Sequence, residues 1–138
     1  MSDKILVIEN DRRYLEGILR VLDELGFKSY VHIVGVEQKF PVDGVLKAVD
    51  LNHERIDIKL SEFLVALVDG VLYGHVHVWH LIPELRGAGI ECVGISNTFY
   101  ELLKRSGATV SPERLQAFAF LRKDLPTIYA AARARSRA

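Results

Sequence analysis

The run Leu64-Val65-Ala66-Leu67-Val68, closed by Asp69-Gly70, constrains this chain more than any other stretch. Five successive apolar residues with no polar alternation read as a strand buried on both faces, as in the middle of a parallel sheet. The strand ends on a carboxylate. In open parallel sheets ligands bind outside the carboxyl ends of the strands. An acid placed there can do chemistry, whereas inside the strand its burial would cost several kcal/mol. Asp69-Gly70 is also an ordinary turn dipeptide, so the remaining strand ends have to decide between the two readings.

Lys4-Ile5-Leu6-Val7-Ile8 is a second buried-strand candidate, and it too runs into acid, at Glu9-Asn10-Asp11. Asn10 or Asp11 can cap a helix in which Leu15, Ile18, Leu19, Leu22 and Leu25 recur at helical spacing and Gly26 supplies the stop. Phe27 to Val34 is β-branched and aromatic and suits a strand. Between Gly35 and Ser61 the pattern reads as a short helix or loop near Pro41–Leu46 followed by a hairpin. In that hairpin Val45, Lys47, Val49 and Leu51 share one side, Ile56, Ile58 and Leu60 pair with them, and Asn52–Arg55 turn. One amphipathic helix over Val42–Leu51 is the alternative. Val71–His75 reads as a loop, and Trp79–Arg86 as a helix kinked or started by Pro83. Ile90–Ile95 is another buried strand, ending in Ser96-Asn97, and Thr98–Ser106 is a short helix stopped by Gly107. Two registers stay open for the last third. Either Ala108–Val110 is the final strand and Ser111-Pro112-Glu113 starts a helix, or Ala117–Leu121, where Phe118 and Phe120 alternate with Ala, is the strand. Strand and helix thus alternate along the chain, which argues for a parallel sheet with helices on both faces.

Composition removes several function classes. The 138 residues, 49% hydrophobic, fit one domain able to bury its own core without metal or disulfide support. Eighteen basic and eighteen acidic residues leave no net charge, which argues against a broad nucleic-acid footprint. Cys92 is the only cysteine, so no internal disulfide can form and a reducing cytoplasm is the expected home. No apolar run is long enough to span a bilayer, and the N-terminus does not read as a secretory signal.

Three strand ends therefore carry polar groups: Glu9-Asn10-Asp11, Asp69 and Ser96. Together with Ile-Leu-Val-Ile-Glu-Asn-Asp, Leu-Val-Asp-Gly, Gly-Ile-Ser and Phe-Leu-Arg-Lys-Asp in this order, the set resembles the receiver domain of two-component response regulators. The resemblance covers residues 1–138 as one domain, apart from extra residues around 35–61, and leaves no stretch for an output domain. It implies a flavodoxin-like five-stranded parallel sheet in the order 2-1-3-4-5, with Leu6, Val7, Val65, Leu67, Val93 and Ile95 buried. It also implies that Asp69 accepts a phosphoryl group from a histidine kinase or phosphotransfer partner. Catalysis would extend at most to the chain's own acylphosphate chemistry. Magnesium would be held by Glu9, Asn10 or Asp11, Asp69 and the carbonyl of Val71, and phosphoryl oxygens by Ser96 and Lys123. Output would pass to a downstream protein, and a homodimer is one form such a module can take.

The chain departs from the family at three points. Asn10 replaces an acid, so the cation loses a charge worth on the order of 1–4 kcal/mol in a partly wet site. Tyr73 stands where the family has proline. If Val110-Ser111-Pro112 ends the last strand, Ser111 takes the lysine position and Lys123 becomes a surface helix residue; in the other register Phe120 matches the family's aromatic switch. Asn10 and the open lysine position favour a second reading, a pseudo-receiver used as an interaction module without phosphorylation. A third comes from His75, His77 and His80, whose spacing resembles a metallo-β-lactamase-type zinc motif and would mean a metal-dependent hydrolase. Trp79 stands where that motif needs an acid. The Arg133, Arg135 and Arg137 tail reads as a solvated helix end.

Overall fold

A computed structural model of the chain describes residues 3–69, 71–72, 76–77, 80–96, 99–112 and 117–137. Gly70, Tyr73, Gly74, His75, Trp79, Asn97, Thr98 and Glu113, to which the sequence reading gave turn, loop, metal-motif or cap roles, lie outside these residues.

The first strand, β1 (Lys4–Ile8), leads into α1 (Arg12–Glu24). Asp11 caps the helix, its Oδ1 accepting from Tyr14 N at 3.1 Å. Leu15, Ile18, Val21 and Leu22 form the buried stripe, and Gly26, at φ +83°, ends the helix as its position predicts. β2 (Tyr30–Ile33) follows, shorter than the predicted strand. Next come three antiparallel strands: β3 (Gly35–Val36), β4 (Val45–Val49) and β5 (Arg55–Lys59). A short 3-10 turn, Leu60–Glu62, leads into β6 (Phe63–Val68). Beyond it lie β7 (Val71–Leu72), β8 (Val76–His77), α2 (Ile82–Gly87), β9 (Glu91–Gly94), α3 (Tyr100–Ser106), β10 (Thr109–Val110) and α4 (Ala117–Arg137).

The main sheet runs β2-β1-β6-β9-β10, every pair parallel, which is the order 2-1-3-4-5. All six residues expected at its centre are fully buried. Each strand alternates its side chains between two cores. Ile5, Val7, Val65, Leu67, Val93 and Ile95 pack under α1 and α4, with Leu121 and Leu125. Leu6, Ile8, Ala66, Val68 and Cys92 pack on the other face under α2, α3 and the β3–β5 meander, whose Leu46, Ala48 and Ile58 point inward. The helices lie on both faces, and the meander takes the place where the alternation calls for one more.

Several local expectations are corrected. No helix forms over 41–46 or 42–51; the hairpin reading holds, with Ala48 opposite Ile56 and Leu46 opposite Ile58. Its inward side is Leu46 and Ala48 rather than Val45 and Val49, because period-two alternation leaves either parity open until a core chooses. Val71-Leu72, in the stretch expected to be a loop, pairs antiparallel with Val76-His77. The helix before β9 starts at Ile82, with Pro83 in its first turn, where its missing N–H costs nothing. Residues 117–121 are helical, not a strand. The helical spacing of Ala117, Leu121, Leu125, Ile128 and Ala132 outweighs the four-residue Ala-Phe alternation, since only the helix buries that whole set. Lys123 is accordingly exposed on α4, and Ser111 follows the last strand. Among the described residues no helix is long and apolar enough to cross a membrane.

Close packing near the carboxyl edge depends on Gly94. A Cβ there would meet Val110 Cγ1 at 2.8 Å and Leu103 Cβ at 3.2 Å, so α3 and β10 reach β9 only over a bare backbone.

Candidate functional site

The strand registers set the site. Ile8 is level with Val68, Val68 with Gly94 and Gly94 with Val110. The residues that follow, Glu9, Asp69, Ile95 and Ser111, therefore emerge side by side at one edge of the sheet. Backbone bonds continue the ladder there: Glu9 N to Ile33 O, Asp69 N to Ile8 O and Ile95 N to Val68 O. Glu9 and Asp69 follow the side-chain parity of Val7 and Leu67, which lie on the α1 and α4 side of the sheet.

Glu9 is completely buried. Its Oε1 accepts from Asp11 N at 3.0 Å. Its Oε2 receives no hydrogen bond from any described donor, although the carboxylate of Asp69 is near enough to share one. Two carboxylates are both acceptors, so they can bond only through a proton or be bridged by a cation. Burial, then the charge of Asp69 and their shared hydrogen bond, push the Glu9 carboxyl up to about 9. With nothing else bound, Glu9 is a neutral acid at neutral pH beside the half-buried Asp69.

The other predicted site residues fall as follows. Asn10 and Asp11 are exposed, and Asp11 holds the start of α1 instead of turning toward Glu9. Val71 lies in β7, two residues past Asp69. Ser96 is buried; its Oγ accepts from Phe99 N at 3.1 Å, a bond that does not use its hydroxyl proton. Ser111 is buried, and its carbonyl accepts from the Tyr100 hydroxyl at 2.6 Å. The exposed Lys123 does not stand at a strand end. Among the described residues no group of three or more His, Cys, Asp or Glu side chains could hold a metal ion. His80 is exposed at the turn before α2, His77 lies in β8, and His75 lies outside the described residues.

Sequence reasoning missed Tyr14. Its hydroxyl donates to the carbonyl of Ile95, just before Ser96, in a short hydrogen bond. Its ring lies 4.9 Å from that of Phe118 on α4. Burial, then the charges of Asp69 and Glu9, raise the phenol to about 12, so it remains a donor. Tyr14 thus ties α1 to the end of β9 beside the acid pair. The available signal was its place three residues after the helix cap, in the first turn over the strand ends.

The fold is that of response-regulator receiver domains. A CheY-like response regulator receiver domain protein from Methanospirillum hungatei is similar at a TM-score of 0.58 and 12% identity, over 98% of this chain and 99% of that one. A putative pilus assembly-related protein from Burkholderia pseudomallei gives a TM-score of 0.58 at 16% identity, over 92% and 89%. The response regulator DrrB of Thermotoga maritima, an OmpR/PhoB homolog, gives 0.52 at 17% identity, over 92% of this chain and 54% of that one. These identities carry the fold alone. Neither a family model nor a curated protein matches the sequence.

Proposed function

We propose that residues 1–138 act as one receiver-like signalling unit that accepts a phosphoryl group at Asp69 from a histidine kinase or phosphotransfer protein and then acts on a downstream protein. The observation that carries this reading is the Glu9–Asp69 carboxyl pair at the carboxyl edge of two adjacent parallel strands, with one Glu9 oxygen lacking a donor among the described residues. Such a pair suits magnesium, which takes one or two carboxylates and keeps water in its remaining positions. Glu9, Asp69 and the carbonyl of Val71 would hold it, with Asn10 the nearest further oxygen donor along the chain. Bound magnesium supplies neutralisation of the incoming phosphoryl oxygens.

The chain's own residues do the rest. An Asp69 oxygen forms the new O–P bond as the N–P bond to the donor's histidine breaks and the imidazole leaves. The hydroxyl of Ser96 would donate to a phosphoryl oxygen. Glu9 must give up its proton to act as a ligand, so cation affinity should rise with pH. The family's lysine charge is missing at Ser111, and transfer should be slow for that reason.

Incubation with acetyl phosphate and magnesium, followed by intact mass, tests the reading. Wild type should gain one phosphoryl group and Asp69→Asn none. No mass gain at any magnesium level, in wild type and in Asn10→Asp alike, would sink it. The second reading, an interaction module without phosphorylation, would then stand. It is favoured by Ser111 at the lysine position and by the acid pair satisfying itself with a proton.

A further inference from the structure

We propose that the outer edge of the β3–β5 meander is a docking edge for a second copy of this chain. The inference is independent of phosphoryl transfer. Strand β5 pairs with β4, and among the described residues no strand pairs with its other side. Leu60 N bonds to Gly44 O and Asp50 N bonds to Glu54 O. Hydrogen-bonded pairs in an antiparallel ladder alternate, so residues 54, 56, 58 and 60 turn their backbone groups toward β4. Arg55, Asp57 and Lys59 turn theirs outward, and their side chains are exposed on the face away from the core.

A free edge is often guarded by charge, most of all by Lys, which repels a second copy. This one alternates basic, acidic, basic. A copy laid antiparallel about a two-fold axis has three registers that match the outward backbone groups. Centring on Asp57 sets Asp57 against Asp57 and Arg55 against Lys59, which repels. Centring on Ile58 sets Asp57 against Lys59 twice and carries the ladder through Leu60, which pairs with Gly44, to the 3-10 turn. Centring on Ile56 sets Arg55 against Asp57 twice and carries the ladder through Glu54, which already pairs in the meander. Directly opposed unlike charges favour either of these over the Asp57-centred register, and of the two only the Ile56 centre brings Arg55, with its partner Glu37, into the contact.

Charges within the protomer agree with it. Lys47 lies 3.8 Å from Asp57 and Glu37 lies 2.6 Å from Arg55, so each row would continue across the axis in alternating sign. Phe40 and Val42, two of the three large exposed apolar residues among those described, sit on the loop entering β4 at the end where β5 leaves. The closed two-fold contact is self-complementary and makes one six-stranded sheet from two meanders.

Sedimentation of wild type from micromolar to millimolar concentration, at low and high salt, tests the proposal together with Arg55→Asp and Asp57→Arg. Both substitutions are on exposed side chains, and thermal melts confirm that the variants fold. Wild type should form a dimer that weakens with salt. Each variant alone should bind itself roughly ten-fold or more weakly, because two opposed pairs become like-charged. An equimolar mixture of the two variants should recover association, since every cross-axis pair is again unlike. A wild type that stays monomeric at millimolar concentration overturns the proposal and leaves the edge to another chain. So does a dimer that neither variant weakens, or a mixture no stronger than its components.

Discussion

Replacing Glu9 by Gln should change how the stability of this protein depends on pH. Glu9 is fully buried and its carboxyl is raised from 4.5 to about 9, first by burial and then by Asp69. In the unfolded chain the same group ionises in the ordinary carboxylate range. Between the two values the folded protein holds a proton that the unfolded chain has released, so folding takes up a proton. The stability linked to Glu9 is therefore present in full below the unfolded value and is lost as pH rises through the folded one. The slope for one proton is about 1.4 kcal/mol per pH unit. Going from about pH 6 to about pH 8, wild type should lose about 3 kcal/mol through this residue alone, a large part of a typical total stability of about 5–15 kcal/mol. Gln has the same shape, cannot ionise, and can offer an N–H where the protonated acid offers its O–H to Asp69. Urea unfolding of both proteins over this range, with a chelator present so that no cation replaces the proton, isolates the effect. The difference between the two curves cancels every group they share. Glu9→Gln should gain steadily on wild type as pH rises. Parallel curves would show that Glu9 ionises normally in the folded state and refute the buried, proton-sharing pair.

Three further outcomes follow from the same geometry. Asn10→Asp should lower the magnesium needed for acetyl-phosphate labelling roughly ten-fold if the restored charge is worth about 1.4 kcal/mol, as read by intact mass across a magnesium titration. Tyr14→Phe keeps the ring on Phe118 but removes the bond to the Ile95 carbonyl; a loss of about 1 kcal/mol in urea melts is expected, and no loss would mean the bond contributes nothing. Gly94→Ala forces a methyl against Val110 and Leu103 and should cost about 1–3 kcal/mol, measured in the same way.

The central strands could be read from the chain because each is a continuous apolar run that stops at a polar residue, whereas their order followed only from the resemblance to receiver domains. Lys4–Ile8 and Phe63–Val68 bury both faces, so no parity has to be chosen. The acids at their ends were equally legible, since nothing in the run itself could shelter them. Where the pattern served two structures, packing chose. Val45–Val49 could present either face until Leu46 and Ala48 met the core. Ala117–Leu121 alternates like a strand over four residues, and it is a helix because its apolar stripe extends to Ala132 over the sheet. That choice moved Lys123 away from the strand ends and put Ser111 there. The proton on Glu9 and the Tyr14 bond to Ile95 were beyond any local reading. Both depend on residues far apart in sequence, brought level by the register of parallel strands and closed off from water by α1 and α4. Residue type says that a carboxyl can ionise; only the packed sheet decides that this one, buried against Asp69, holds its proton to a higher pH.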